Sequence, residues 1–483
     1  MAIGATAPAA RLWRFHVALG FPKLSPAHPE LGFAKQGRLT DRVEEGPVTL
    51  ERRKALPATL VVAALGLVVA GCGAVPSSCT PIEYEGAGSP DYVVASDLPL
   101  QGRSRTQSLQ VNDAIREELR VRQFKAGNFT IGFQACDDST SQAAKWDART
   151  CSANANNYAE NELLVGVIGP LDSSCAAIII PVLNQAPGGG IPIVSPSNTH
   201  PCLTQGGPGC DISEPDKYYP SGRRNYFRVA ANDLYQGAAI AEFARARGIK
   251  SVYILNDMEA YGVGIATSFR SAARSLEIAI AGFGSWNPEA ESYTTLFETV
   301  RSSDADAVFI GGLIDQNGAQ LIKDKVTVLG PNDGEIELLA SDGFATNVTV
   351  DGAGAAGAGM YVAAAGVTID EFSGEAKEFA DRFSTEYLSG KATDPYAIYG
   401  AQAARVMLDA IAASNGTRID VTGRLFETNV TEGLLGSFRF NSDGDPAEAS
   451  GPVVGFTIFE VSDRLEPWTT IYPAGRTIEA ATP

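Results

Sequence analysis

Residues 165–199 read VGVIGPLDSSCAAIIIPVLNQAPGGGIPIVSPSNT. The run 165–168 is short, apolar and bounded by Gly169-Pro170, which predicts a buried strand. Ser174–Gln185 is longer and almost wholly apolar, which predicts a buried helix. Ile191–Val194 predicts a second strand, closed by the hydroxyl-bearing turn Ser197-Asn198-Thr199. Strand, helix and strand joined by short turns make one βαβ unit, whose strands run parallel.

The same alternation extends in both directions. Upstream, Tyr92–Ala95 and Phe129–Phe133 read as strands, and Arg103–Val121 and Gln142–Glu160 as helices. Downstream, an irregular stretch at 196–224 interrupts the pattern. Strands then recur at Tyr226–Val229, Val252–Leu255, Ile278–Phe283, Ala307–Ile310 and Glu337–Ala340, with helices between them. A twisted sheet rarely grows to ten strands in one piece, so two α/β lobes with parallel central sheets are expected. Tyr361–Ala364, helices near 371–387 and 396–413, and strands near Phe438 and Val453–Val461 come last. They must return to the lobes and build a hinge. In open α/β sheets the ligand lies outside the carboxyl ends of the strands. The segments that follow the strands are rich in hydroxyls, small residues and single carboxylates.

Charge and composition narrow the chemistry. Lys and Arg total 38 against 56 Asp and Glu, a net charge of −18, so no basic face for nucleic acid is expected. Three His in 483 residues leave little scope for His-based catalysis. A hydrolase would need a Gly-x-Ser-x-Gly elbow, and none occurs. The glycines of 352–359 lack the strand and helix that a dinucleotide fingerprint requires. No enzyme activity, cofactor or metal is expected.

The amino-terminal region reads as an address. Residues 55–71, ALPATLVVAALGLVVAG, follow Arg52-Arg53-Lys54 and precede Cys72. Seventeen residues are short for a spanning helix and suit a secretory signal. Val69-Ala70-Gly71-Cys72 resembles a bacterial lipobox, which implies lipidation of Cys72 and a membrane anchor. Residues 52–71 are then the signal peptide and 72–88 a tether. Residues 1–51 are expected to be a non-native or disordered extension, with the natural start near Val48 or Leu50. Six cysteines remain, an even number that suits up to three disulfides in an exported chain. Cys202 and Cys210 flank a Gly/Pro loop and are expected to pair. Cys136 and Cys175 follow predicted strands and are expected at neighbouring strand ends, leaving Cys79 and Cys151.

The run at 165–185, then IPIVSPSNTHPCLT, NYFRVAANDLYQGAAIAEF and VYILNDMEAYGVGIATSF, resembles the type I periplasmic-binding-protein family. The branched-chain amino-acid-type binding lipoproteins of ABC transporters are the branch it is most similar to. ADAVFIGGL, LLASDGF and DPYAIYGAQAARVMLDAI agree in order and spacing. The resemblance implies two lobes, 89–225 plus 362–447 and 226–361 plus 448–483, joined by three crossovers. It implies a monomer outside the cell that closes on a small amino-acid-like ligand and delivers it to an ABC transporter permease. Ser173 and the turn Ser197-Asn198-Thr199 would hold the ligand's carboxylate, with Ser174 beside them. Asp342 would pair with its ammonium and Tyr261 would cover it. The loop Gln101–Ser104 would line the side-chain end, and Leu313 stands where an aromatic often occurs. A helix N-terminus after Ser173 would favour the anion. A ligand-sensing ectodomain of the same fold is the alternative.

Overall fold

A computed structural model describes residues 78–207, 209–391 and 393–482. The expected extension, signal peptide and lipidated Cys72 lie outside the described residues.

Two parallel sheets carry the fold. In the first, the strands Phe129–Asp137, Tyr92–Leu98, Leu164–Ile168, Ile193–Ser195 and Tyr226–Arg228 lie side by side in that order. In the second, the order is Ala279–Ser285, Ser251–Asn256, Ala307–Gly311, Glu337–Ala340 and Tyr361–Ala365. Both follow the doubly wound order 2-1-3-4-5, in which the chain reverses direction beside its first strand. Apolar side chains cover both faces of each sheet, which is why the strands read as near-continuous apolar runs. Val93, Ala95 and Val167 pack with Ile179 on one face of the first sheet. Val94, Phe133, Ile115 and Ile398 pack on the other. In the second sheet, Val252, Ile254 and Phe269 share one face, while Leu255, Ile310 and Trp286 share the other.

The carboxyl-terminal part returns to both lobes. Pro395–Ala413 packs on Arg105–Val121 beneath the first sheet. Phe456–Val461 and Leu465–Ile471 join the second sheet antiparallel, beyond Tyr361–Ala365. Three lobe boundaries differ from those expected. Tyr226–Arg228 pairs with Ile193–Ser195 and closes the first sheet, so the first crossover follows it. Tyr361–Ala365 belongs wholly to the second sheet. Pro446–Ser450 pairs with Gly436–Phe440 in a separate three-stranded sheet, so the last crossover lies beyond Ser450. In each case a short strand was read on one side of a crossover when its ladder partner lies on the other. The helix expected from Gln142 starts at Ala148, because Lys145–Trp146 first pairs with Ser139–Thr140.

The disulfides also correct one expectation. Cys202 pairs with Cys210 as expected, at a Cα separation of 5.5 Å. Cys136 pairs with Cys79 and Cys151 with Cys175, not Cys136 with Cys175. Tyr92–Leu98 lies between the strand of Cys136 and the strand preceding Cys175, so those two are not neighbours. The described part of the expected tether is fastened instead: Thr80 donates to Ala135 O and Glu83 to Phe133 O, both at 2.8 Å, along the outer edge of Phe129–Asp137.

One buried ion pair ties the first and last crossovers together. Arg228 is fully buried, and its Nε donates to Asp445 Oδ1 at 2.7 Å. Its Nη1 donates to the carbonyls of Asn198 (3.1 Å) and His200 (2.9 Å). Asp445 also accepts from Thr204 Oγ1 at 3.0 Å. Removing one partner of a buried pair leaves an uncompensated charge. Asp445→Ala is expected to lower the unfolding free energy by about 3–5 kcal/mol in urea denaturation. Asp443→Ala, which removes an exposed partner of Arg224, is expected to cost less than about 1 kcal/mol.

Candidate ligand cleft

The reversal points of the two sheets put the carboxyl ends of Tyr92–Leu98 and Leu164–Ile168 opposite those of Ser251–Asn256 and Ala307–Gly311. Between them lies a cleft of about 620 Å³. Gly262 is required beside it, since a Cβ there would strike Asp257 Oδ1 and the Gly311 carbonyl.

Five of the seven expected site residues line this cleft: Ser173, Ser197, Thr199, Tyr261 and Asp342. Ser174 and Asn198 do not. Ser174 Oγ donates to Glu259 Oε2 at 2.9 Å and accepts the Ala260 N–H at 3.2 Å, bridging the lobes. Asn198 turns inward: its amide donates to Leu171 O at 2.9 Å and its Oδ1 accepts from Tyr226. In each the side chain is spent on protein partners. The loop expected at 101–104 contributes Arg103 and Ser104, and Leu313 also lines the cleft.

Asp342 sits in a clasp. The Tyr261 hydroxyl donates to its Oδ1 and the Tyr396 hydroxyl to its Oδ2. Tyr396 comes from the first turn of Pro395–Ala413, so the clasp joins the two lobes. Burial, then the facing Asp342 charge, holds both phenols well above 10, so both remain donors. Tyr396 was missed in the sequence. Asp394-Pro395 announces a helix start there, capped by Asp394 Oδ1 accepting the Tyr396 N–H at 2.9 Å, but nothing local aims the ring.

The helix N-terminus at Ser173 also differs from expectation. Asp172 caps it, its Oδ1 accepting the N–H of Ser174 (2.7 Å) and Cys175 (3.4 Å), so those two amides are not free for a ligand anion. Ser173 Oγ accepts the His200 N–H at 3.4 Å. Among the described residues, two groups of metal-ligand types cluster: His200, Cys202 and Glu214, and Asp138, Cys151 and Cys175. The sulfurs in both are committed to disulfides and offer no thiolate.

Across the mouth the lobes touch through polar contacts. Arg103 Nη1 donates to Ile314 O at 2.9 Å and Ser104 Oγ to Asp315 Oδ2 at 2.8 Å. Lys145 Nζ donates to Gln316 Oε1 at 2.6 Å and lies 4.0 Å from Glu259. Asp172 and Asp257 belong to opposite lobes. Burial, and then the Glu259 charge, raises Asp172 from 3.8 to about 7. Burial likewise raises Asp257 to about 7, against backbone N–H bonds from Leu313 and Glu259 that lower it. An acid whose pKa rises on folding stabilises the fold below its unfolded value, and that stability is lost as pH climbs through the raised value. The melting temperature is therefore expected to rise as pH falls from about 8 to about 5. Burial pushes Asp97 to about 6, which acts in the same direction. His200, lowered by burial from 6.5 to about 4, acts in the opposite direction below about 6.5, where the unfolded state takes up its proton first, and it offsets only part of the gain from the three carboxyls. Asp172→Asn/Asp257→Asn is expected to flatten the rise in calorimetry over that range. An unchanged slope would remove these two carboxyls as its source.

The geometry finds its counterpart in known proteins. A family model described as periplasmic binding protein matches residues 118–458. The Leu/Ile/Val-binding protein BraC3 of Rhizobium johnstonii is 25% identical over 47% of this chain and 55% of that protein. An amino acid binding protein of Pseudomonas aeruginosa is 23% identical over 34% of this chain and 40% of its own length. The chain thus spans about half or less of these curated relatives. Among solved structures, a leucine binding protein of Thermotoga maritima shares the fold at a TM-score of 0.66, with 21% identity over 79% of this chain and 99% of that one. A solute binding protein of Rhodopseudomonas palustris in complex with 4-hydroxybenzoate shares it at 0.64, with 14% identity over 79% and 97%. The chain belongs to the periplasmic binding protein family, whose members are extracytoplasmic binding proteins and not enzymes.

Proposed function

We propose that the protein captures a small amino-acid-like solute between its lobes and hands it unchanged to an ABC transporter permease. One observation carries the reading: the Ser173–Thr199 shelf of the first lobe and the Asp342 carboxylate of the second line a single cleft. A solute seated there touches both lobes, so its binding favours the closed arrangement by the difference in affinity. The names of the curated relatives, amino acid binding and Leu/Ile/Val-binding, point to the same class. The protein acts as a monomer, held to the outer face of the membrane by a lipid on Cys72. Among the described residues no helix is long and apolar enough to cross a membrane.

Thermal-shift screening with amino acids tests capture. A solute at 100 times its dissociation constant adds about 2.7 kcal/mol of stability. Asp342→Asn removes the charge and keeps one of the two acceptor oxygens, with the amide NH2 facing the other tyrosine, whose hydroxyl can turn to accept from it. It is expected to weaken an ammonium-bearing solute by about 2–5 kcal/mol in titration calorimetry. Equal affinity for both proteins would take Asp342 out of the site. Cys72→Ala is expected to move the protein from the membrane to the soluble fraction, and retention in the membrane would end the lipid-anchor assignment.

A further inference from the structure

We infer that the solute carries net positive charge, as an amino acid with a second cationic group on its side chain. This rests on the amino-acid-binding reading and narrows it.

Donors for an anion are scarce. The amides of Ser174 and Cys175 are taken by Asp172. Ser197 Oγ donates to Leu171 O at 3.0 Å, and Ser173 Oγ already accepts the His200 N–H at 3.4 Å. Arg103, the guanidinium that lines the cleft, gives Nη1 to a carbonyl of the opposite lobe. Acceptors are abundant. Asp172, Asp315, Asp342 and Asp394 all line the cleft. Asp172 is 6% exposed, yet its buried Oδ2 has no hydrogen-bond partner. Asp315 Oδ1 is likewise buried and unpaired, although Arg103 and Lys145 lie close enough to favour its charge. Glu259 and Asp257 add negative charge around Asp172, and Asp233 adds it beside Asp342.

A buried carboxylate oxygen without a donor is costly, and closure on an aliphatic side chain would leave it so. A second ammonium or guanidinium among these lining carboxylates offsets the like-charge repulsion that closure brings together. Sites that hydrogen-bond a substrate group reject the analogue lacking it strongly, because their own polar groups are left unpaired.

Titration calorimetry on the full chain in detergent decides the matter, with L-lysine, L-arginine, L-norleucine, L-leucine and L-glutamate as probes. Lysine or arginine is expected to bind at least about 100-fold more tightly than norleucine. The double variant Asp172→Asn/Asp315→Asn is expected to cut that preference below about tenfold. If norleucine or leucine binds the unsubstituted protein as tightly as lysine, the inference fails and the amino-acid reading stands. A preference that the double variant leaves intact also overturns it, because these two carboxylates would not be its source. If no probe binds, both readings fail.

Discussion

A fully buried guanidinium, Arg228, must be satisfied on every side, and the arrangement that satisfies it also builds the cleft. Its partners come from three places: Asp445 near the last crossover, Thr204 in the irregular loop, and the two carbonyls flanking Thr199. Because those carbonyls are held, Thr199 is presented toward the second lobe on a fixed shelf. Asn232, at the first crossover, reaches the same Asp445 carboxylate, so the loop and two of the crossovers move as one body. A desolvated charge tolerates little displacement of its partners, and this makes the shelf rigid where the hinge around it bends.

The cleft itself is built from charges that tolerate each other only under conditions. Asp342 is shared by a tyrosine from each lobe, so its lone pairs are partly spent in the closed arrangement. On the proposed reading a captured ammonium would add to that clasp, since a carboxylate accepts more than two donors. At the mouth, Asp172 and Asp257 meet across the lobe boundary with Glu259 between them, and Ser174 and Gln316 tie Glu259 down. On the reading proposed above, protons or a cation would relieve that repulsion when the lobes close.

Much of this was legible in local pattern. The alternation of short apolar strands with apolar-faced helices gave two parallel sheets, since a strand buried on both faces leaves no polar position to alternate. The strand-following segments were marked because ligands sit at carboxyl ends in such sheets, and the family resemblance singled out Ser173, Ser197, Thr199, Tyr261 and Asp342 within them. Ser174 and Asn198 carried the same local signal, yet one faces Glu259 and the other Leu171 O. One residue along a helix turns a side chain by about 100°, and chain position alone does not reveal which neighbour waits there. The Cys136–Cys175 expectation failed for a related reason: following a strand says nothing about which strand lies alongside.

Sequence alone determined the fold class, the two-lobed division, the Cys202–Cys210 loop and the segments that face the cleft, because all of these follow from periodicity and short-range spacing. Tertiary structure decided which hydroxyls reach the cleft, that Tyr396 shares Asp342 with Tyr261, that Asp172 occupies the helix end, and that Cys79 crosses to Cys136. Those outcomes join residues separated by 50 or more positions or by a lobe boundary, or, for Asp172, turn on which acceptor reaches the amides first. Hydrogen bonds and buried charges of this kind are settled by packing geometry, which no local pattern encodes.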